Sequence, residues 1–314
     1  MRPGVGEEQS VRFDRRLSTV AGVLLALAVA LTGCGAVAEP AAGTRPAAPG
    51  GAPLTEAQLA VIDRAELVLT KKCMARHGHP FWVAASMRAD ELRAPGYVLD
   101  DVGWAHRHGY GGRIQRKALA TKRHDRNIAY RAGLSEAEAR AYVRALSGGP
   151  GSELLTTSLP GGGKVRVGNG GCEAEARKRL YGDPSVWFRV DKVATNLTPL
   201  YVPRLLRDER FTKTQRRWAA CMRRAGHSYP DPTAIRAALP RLTQGLDAGR
   251  AHATEVRLAV AEATCARETG FAETARRLER EHSAPVRARY ARDIATRDRL
   301  QRAALDRAER LLGE

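Results

Sequence analysis

The chain has 314 residues, 52 of them Lys or Arg against 34 Asp or Glu, for a formal charge of +18, and only 5% are aromatic. That length supports one large hydrophobic core or two small ones, and so few aromatic rings exclude a core filled mainly by them. Core volume must come from Leu, Val and Ala on helices, so the expected fold is mainly α.

Residues 1–33 divide like a secretory signal. Arg2, Arg12, Arg15 and Arg16 make a basic start, diluted by Glu7, Glu8 and Asp14, and Val20 to Leu31 is almost entirely Ala, Val and Leu. Such a run suits a leader and falls short of the ~20 residues needed to span a bilayer as a helix. Leu31-Thr32-Gly33-Cys34 follows, and it resembles the lipobox of bacterial lipoproteins. The resemblance implies cleavage before Cys34, a diacylglycerol thioether on that cysteine, and a mature chain held by lipid at the extracytoplasmic face of the cell membrane. Two other readings stay open, an ordinary secretory signal and a retained helix with Cys34 unmodified. Arg15-Arg16 also leaves Sec and twin-arginine export both open.

Without residues 1–33 the charge is +17. In a cell such a surplus would favour nucleic acid, because Lys and Arg neutralise phosphates and release counterions. An exported protein meets little of it, so the expected polyanions are lipid headgroups and anionic wall polymers. Arg outnumbers Lys 44 to 8, which codon bias in a GC-rich genome would also produce.

From Gly35 to Pro53, 15 of 19 positions are Ala, Gly or Pro, so residues 34–53 form no core and read as a disordered tether. Its reach is ~25 Å as a coil and ~60 Å at full extension. The first helix is expected from Thr55, where Gln58 completes a capping box and Leu59, Ile62, Ala65, Leu69 and Cys73 recur at helical spacing. Gly78 and Pro80 stop it. Phe81 to Arg131 has poor periodicity and reads as mostly loop with short helical turns. Ser135 and Glu138 cap a second helix, which ends before Gly148-Gly149-Pro150. Glu153 to Ser158 and Lys164 to Val167 flank Pro160-Gly161-Gly162-Gly163 and predict one short β-hairpin.

Cys172 opens a helix ending near Tyr181-Gly182, and Asp183-Pro184 starts the next. Pro199 and Pro203 allow only short pieces, and a helix from about Thr212 carries Trp218, Cys221 and Met222 to Gly226. Asp231-Pro232 begins a short helix, and Thr254 to Leu312 predicts two or three, broken at Gly270 and near Pro285. Val286, Tyr290, Ile294, Leu300, Ala304, Ala308 and Leu311 are expected on the inward face of the last. Residues 54–182 and 183–314 thus read as two helical half-modules that can form one domain.

Two helix ends resemble each other. Cys73-Met74-Ala75-Arg76-His77-Gly78-His79-Pro80-Phe81 and Cys221-Met222-Arg223-Arg224-Ala225-Gly226-His227-Ser228-Tyr229 share Cys, Met, Arg, Gly and His and close on an aromatic. Each has a later helix-borne cysteine, Cys172 or Cys265. With Cys34 on lipid, four cysteines remain in an oxidising compartment; of the three pairings the repeat favours Cys73 with Cys172 and Cys221 with Cys265, and buried free thiols are the other reading. Lipobox, tether and Cys-Met-x-x-x-Gly helix ends together resemble uncharacterised lipoproteins of high-GC Gram-positive bacteria. That resemblance implies location and disulfides and carries over no catalytic residue.

Little else points to chemistry. His77-Gly78-His79 and His106-Arg107-His108 are the nearest to a metal constellation, but no His-Glu-x-x-His helix accompanies them. Gly161-Gly162-Gly163-Lys164 lacks the spacing of a phosphate loop, and no Gly-x-Ser-x-Gly elbow occurs. No catalytic residue, metal ligand or cofactor is therefore assigned. The leading expectation is a non-enzymatic lipoprotein that binds or scaffolds at the cell envelope. The alternative is a wall hydrolase using paired carboxylates, with Glu173, Glu175, Glu262 or Glu268 as a possible general acid; the pair would have to flank the scissile bond. Capture of a small molecule or metal for a transporter is disfavoured, because the strand and helix alternation of two-lobed binding proteins is missing.

Overall fold

A computed structural model describes residues 52–84, 87–92 and 96–313. The signal segment, Cys34 and nearly all of the tether lie outside the described residues. Helix α1 (Glu56–Arg76) starts at the expected capping box, with Thr55 and Gln58 each satisfying the other's backbone N–H. It is followed by α2 (Ala89–Leu92), α3 (Val102–His108), α4 (Gly112–Arg123), α5 (Arg126–Ala132) and α6 (Glu136–Ser147). The hairpin pairs β1 (Leu154–Ser158) with β2 (Lys164–Gly168), Leu155 opposite Val167 and Thr157 opposite Val165. Leu155 and Thr157, on one face of β1, are buried, as the period-2 pleat requires.

After the hairpin come α7 (Gly171–Tyr181), which closes the first half, and α8 (Pro184–Thr195), then a 3-10 turn (Thr198–Leu200) and α9 (Val202–Leu205). Then come α10 (Glu209–Arg224), α11 (Pro232–Thr243), α12 (Ala248–Glu268), α13 (Phe271–Arg289) and α14 (Ala291–Gly313). Over the described residues the protein is mainly helical with one two-stranded hairpin, as composition and periodicity indicate.

Three departures from expectation have physical causes. The stretch from Phe81 to Arg131 holds three helices beyond a single turn, including the twelve-residue α4. Helix α4 buries no side chain fully, Ile114 packing only in part against the α3–α12 contact, and its N-cap, Gly111, offers no side-chain acceptor, so no side-chain cap marks its start in the sequence. Pro285 sits inside α13. A proline removes one helical hydrogen bond, but Ser283 and Val286 on either side are buried, and packing carries the helix through. The break falls instead at Tyr290. Val286 therefore belongs to α13, where it packs with Leu197 and Tyr201, while α14 buries Gln301, Ala304, Leu305 and Ala308.

Two core clusters organise the helices. In one, Ile62, Ala65 and Leu69 of α1 meet Ala176 and Leu180 of α7 and Ala304, Leu305 and Ala308 of α14. Small alanines at these contacts let the helix axes approach closely. In the other, Phe211, Trp218 and Met222 of α10 pack with Ile235 of α11, Leu258 of α12, and Phe271 and Leu278 of α13. Burying each such large side chain contributes ~1.5–3 kcal/mol. The two sequence halves exchange elements across these clusters. Helix α14 lies on α1, α7 and α8, and α3 lies on α12 with Leu99, Trp104 and Ala105 against Ala259 and Ala263.

Candidate functional site

The two Cys-Met segments fold into the same helix end. Gly78 has φ +76° and Gly226 φ +83°, the left-handed turn that a side chain would strain. Gly78 N–H donates to Ala75 O and His79 N–H to Met74 O; Gly226 N–H donates to Arg223 O and His227 N–H to Met222 O. These are the paired hydrogen bonds of a Schellman cap. Met74 and Met222, whose carbonyls accept the histidine N–H of each pair, are both fully buried.

At these ends the structure joins Cys73 to Cys172 and Cys221 to Cys265, with Cα separations of 5.5 and 5.7 Å. This is the pairing the repeat favours. The partner helices nevertheless arrive in opposite senses. Cys172 is in the first turn of α7, which runs back along α1 into their shared core, whereas Cys265 is in the last turn of α12. Trp218 Nε1 donates to Glu262 O, three residues before each cysteine of that pair, so α10 and α12 cross in the same sense. One feature survives the reversal. The residue three after each partner cysteine is a glutamate whose carboxylate lies against the other sulfur, Glu175 at 3.4 Å from Cys73 Sγ and Glu268 at 3.6 Å from Cys221 Sγ.

The candidate acids thus occupy structural positions. Glu175 also pairs with Arg76 at 2.6 Å and Arg179 at 3.8 Å. Glu262 is completely buried. Its Oε1 accepts from Leu99 N–H at 3.1 Å and Arg236 Nη2 at 3.3 Å, and its Oε2 from Tyr110 Oη at 2.8 Å. Desolvation raises its pKa, while Arg236, Tyr110 and the Leu99 amide oppose the rise. A general acid must reach its substrate, and a side chain sealed among these three donors does not. Two turns away on the same face, buried Glu255 accepts from Gly112 N–H at 3.0 Å and faces Arg116 at 3.8 Å. Helix α12 thereby supplies from a distance the cap that Gly111 lacks. Glu173 is half-buried on α7.

The histidines do not converge either. His79 sets its ring 5.4 Å from Tyr142, while His77 stays exposed beside Cys73 and Cys172. Those three form the one metal-sized cluster among the described residues, and its two sulfurs are bonded to each other. His108 lies tilted against Trp104, its ring centre 5.1 Å away, with Nε2 3.3 Å from Asp90 Oδ2, and His106 is exposed.

A cleft of about 730 Å³ opens between the outer face of α1, the 81–84 segment and the α4–α5 junction. The 81–84 segment is fastened at both ends. Trp82 N–H donates to Asn127 Oδ1 and Trp82 O accepts from Asn127 Nδ2, both at 2.8 Å, as a strand partner would. Arg64 Nη1 donates to Ala84 O at 3.1 Å. The Arg126 guanidinium lies 4.7 Å over the Trp82 ring, and Tyr130 meets that ring edge-on, a cation–π contact worth ~0.5–1 kcal/mol when exposed.

Arg64, Lys71, Lys72, His124 and Arg126 line the cleft against a single carboxylate, Asp125. Asp125 is itself engaged, its Oδ1 accepting from Asn127 N–H at 2.7 Å to cap α5. Among the described residues no carboxylate pairs with Lys71 or Lys72, and both are exposed. Val68, Ala75 and Val83 supply apolar wall between the charges. None of these residues was singled out from sequence as a site. Lys71-Lys72 is the chain's only adjacent lysine pair, and that is the one local signal that could have drawn attention to it.

Fold and cleft together define a disulfide-braced helical protein with a basic, partly apolar surface site. The chain matches no protein-family model, no curated protein and no solved structure.

Proposed function

We propose that this chain is a lipid-anchored lipoprotein of the extracytoplasmic membrane face, whose folded body binds anionic components of the envelope, lipid or wall polymer, without catalysing a reaction. The observation that carries the binding role is the cleft at α1, lined by two arginines, two lysines, one histidine and one engaged carboxylate. Two disulfides support an oxidising location, because such bonds persist outside the cytoplasm and are rare within it. The lipid anchor rests on the Leu31-Thr32-Gly33-Cys34 motif. The hydrolase alternative is weakened, since Glu262 is sealed and Glu175 and Glu268 each lie against a disulfide sulfur.

Fractionation of cells expressing Cys34→Ala tests the anchor. The variant should leave the membrane fraction, and retention equal to the unaltered chain would mean that the apolar leader, not lipid, holds the protein.

A further inference from the structure

We infer that the cleft between α1 and the α4–α5 junction binds a glycerophosphodiester anion, the chemistry shared by an anionic phospholipid headgroup and a free glycerophosphodiester. This rests on the envelope-binding reading and names its site. Charge comes from two walls, Lys71 and Lys72 on α1 and Arg126 on α5, so an anion between them is met from both sides. The lysines are rotatable point charges without carboxylate partners among the described residues, a form that suits tetrahedral phosphate oxygens. The Arg126 guanidinium carbon lies 4.7 Å from the centre of the Trp82 ring, a cation–π contact that restrains the side chain beside the cleft.

The rest of the cleft limits the ligand further. At about 730 Å³ it lies in the range of small-molecule sites and far exceeds a bare phosphate ion. Val68 and Val83 offer apolar surface that a densely charged, fully hydrated polyanion would leave unused. A glycerol backbone with its first methylenes would cover it. Because the hydrogen bonds of Asn127 and Arg64 hold the 81–84 segment in place, the cleft is formed before a ligand arrives, which lowers the ordering cost of binding.

The test uses the full chain reconstituted in phosphatidylcholine nanodiscs and titrated calorimetrically with glycerophosphoglycerol. In a second arm, discs containing phosphatidylglycerol are compared with pure phosphatidylcholine discs by hydrogen exchange across residues 81–84. Lys71→Glu with Lys72→Glu should weaken binding about tenfold or more, because it reverses two charges at the contact. Lys178→Glu with Lys213→Glu makes the same change in net charge at exposed positions elsewhere and should leave affinity within about twofold, since distant charges are screened. Lysine-dependent binding of glycerophosphoglycerol assigns the site to a free phosphodiester. Lysine-dependent protection that occurs only in phosphatidylglycerol discs assigns it to a lipid headgroup.

Binding in neither arm, or equal weakening by both double variants, overturns the site. The Cys34→Ala fractionation is read separately. A failed anchor leaves the glycerophosphoglycerol titration decisive, and a confirmed anchor does not rescue a cleft that binds nothing.

Discussion

Glu262 Oε2 accepts the hydroxyl hydrogen of Tyr110 at 2.8 Å, a contact made across 152 residues of chain. Its other oxygen takes the Leu99 amide and Arg236, so one side chain of α12 ties the loop before α3, the loop after it and α11 together. Glu262→Ala should cost about 2–4 kcal/mol in a urea melt, because three donors lose a buried acceptor. Glu262→Gln keeps an acceptor and should cost less. The pH dependence has a definite sign. Burial raises the folded pKa above the unfolded value, so the folded state holds the proton more tightly, and the stability this brings is lost as pH rises through the folded value. The advantage of the unaltered chain over Glu262→Gln should therefore shrink from pH 4 to pH 7. An advantage that grows over that range would contradict the buried-carboxyl account.

The disulfides close loops of unequal length, 99 residues for Cys73–Cys172 and 44 for Cys221–Cys265. Chain entropy alone makes the first worth about 4.7 kcal/mol and the second about 4.0 kcal/mol. Non-reducing peptide mapping should recover these two pairs, and four free thiols would remove the argument. Replacing both cysteines of either pair by Ala should lower the denaturation midpoint strongly, slightly more for the longer loop.

Gly109 lies at φ +59°, and a Cβ placed there would meet Glu255 Cβ at 2.7 Å and backbone of α12 at 3.1 Å. Gly78 is also left-handed, at φ +76°, but a Cβ there meets nothing within 4 Å. Gly78→Ala should therefore cost only the backbone preference, about 1 kcal/mol. Gly109→Ala should cost about 2–3 kcal/mol, since α3 must also move from α12. Equal melting shifts for the two variants would mean that α3 is not held as tightly as its packing indicates.

Asp208 caps α10 through Arg210 N–H and also takes the Arg210 side chain and His282 Nε2, the latter at 3.0 Å. Hydrogen bonds from Arg210 first and His282 second hold its carboxyl well below the usual range. A depressed folded pKa adds stability above the unfolded value of about 3.9, and that stability is lost as pH falls through the folded one. Asp208→Asn keeps a capping oxygen but removes this linkage. Urea midpoints should then fall less steeply below pH 4 than in the unaltered chain, and identical slopes would show that the charged form gains nothing from its partners.

Much of the fold was legible because its signals are local. Thr55 with Gln58 and Ser135 with Glu138 form their capping boxes within four residues, and the hairpin is declared by its glycine-rich turn. Helix α4 was not legible, since the group that caps it, Glu255, lies 143 residues away. The site was less legible still. Sequence offered Glu173, Glu175, Glu262 and Glu268 as acids by residue type alone, and only the folded chain shows Glu262 sealed, Glu175 and Glu268 set against sulfur and Glu173 half-buried on α7.

By itself the sequence determined a helical body and one hairpin, because caps and periodicity act over a few residues, and its repeat favoured one pairing of Cys73, Cys172, Cys221 and Cys265. Only the tertiary structure decided that α14 returns to α1, that α3 docks on α12, and that Lys71 and Lys72 line one cleft with Arg126, more than fifty residues further along the chain. Those contacts depend on which buried faces fit one another, Ala65 against Ala304 or Trp104 against Ala263. That choice is made by packing the whole chain at once, and no short stretch of residues records it.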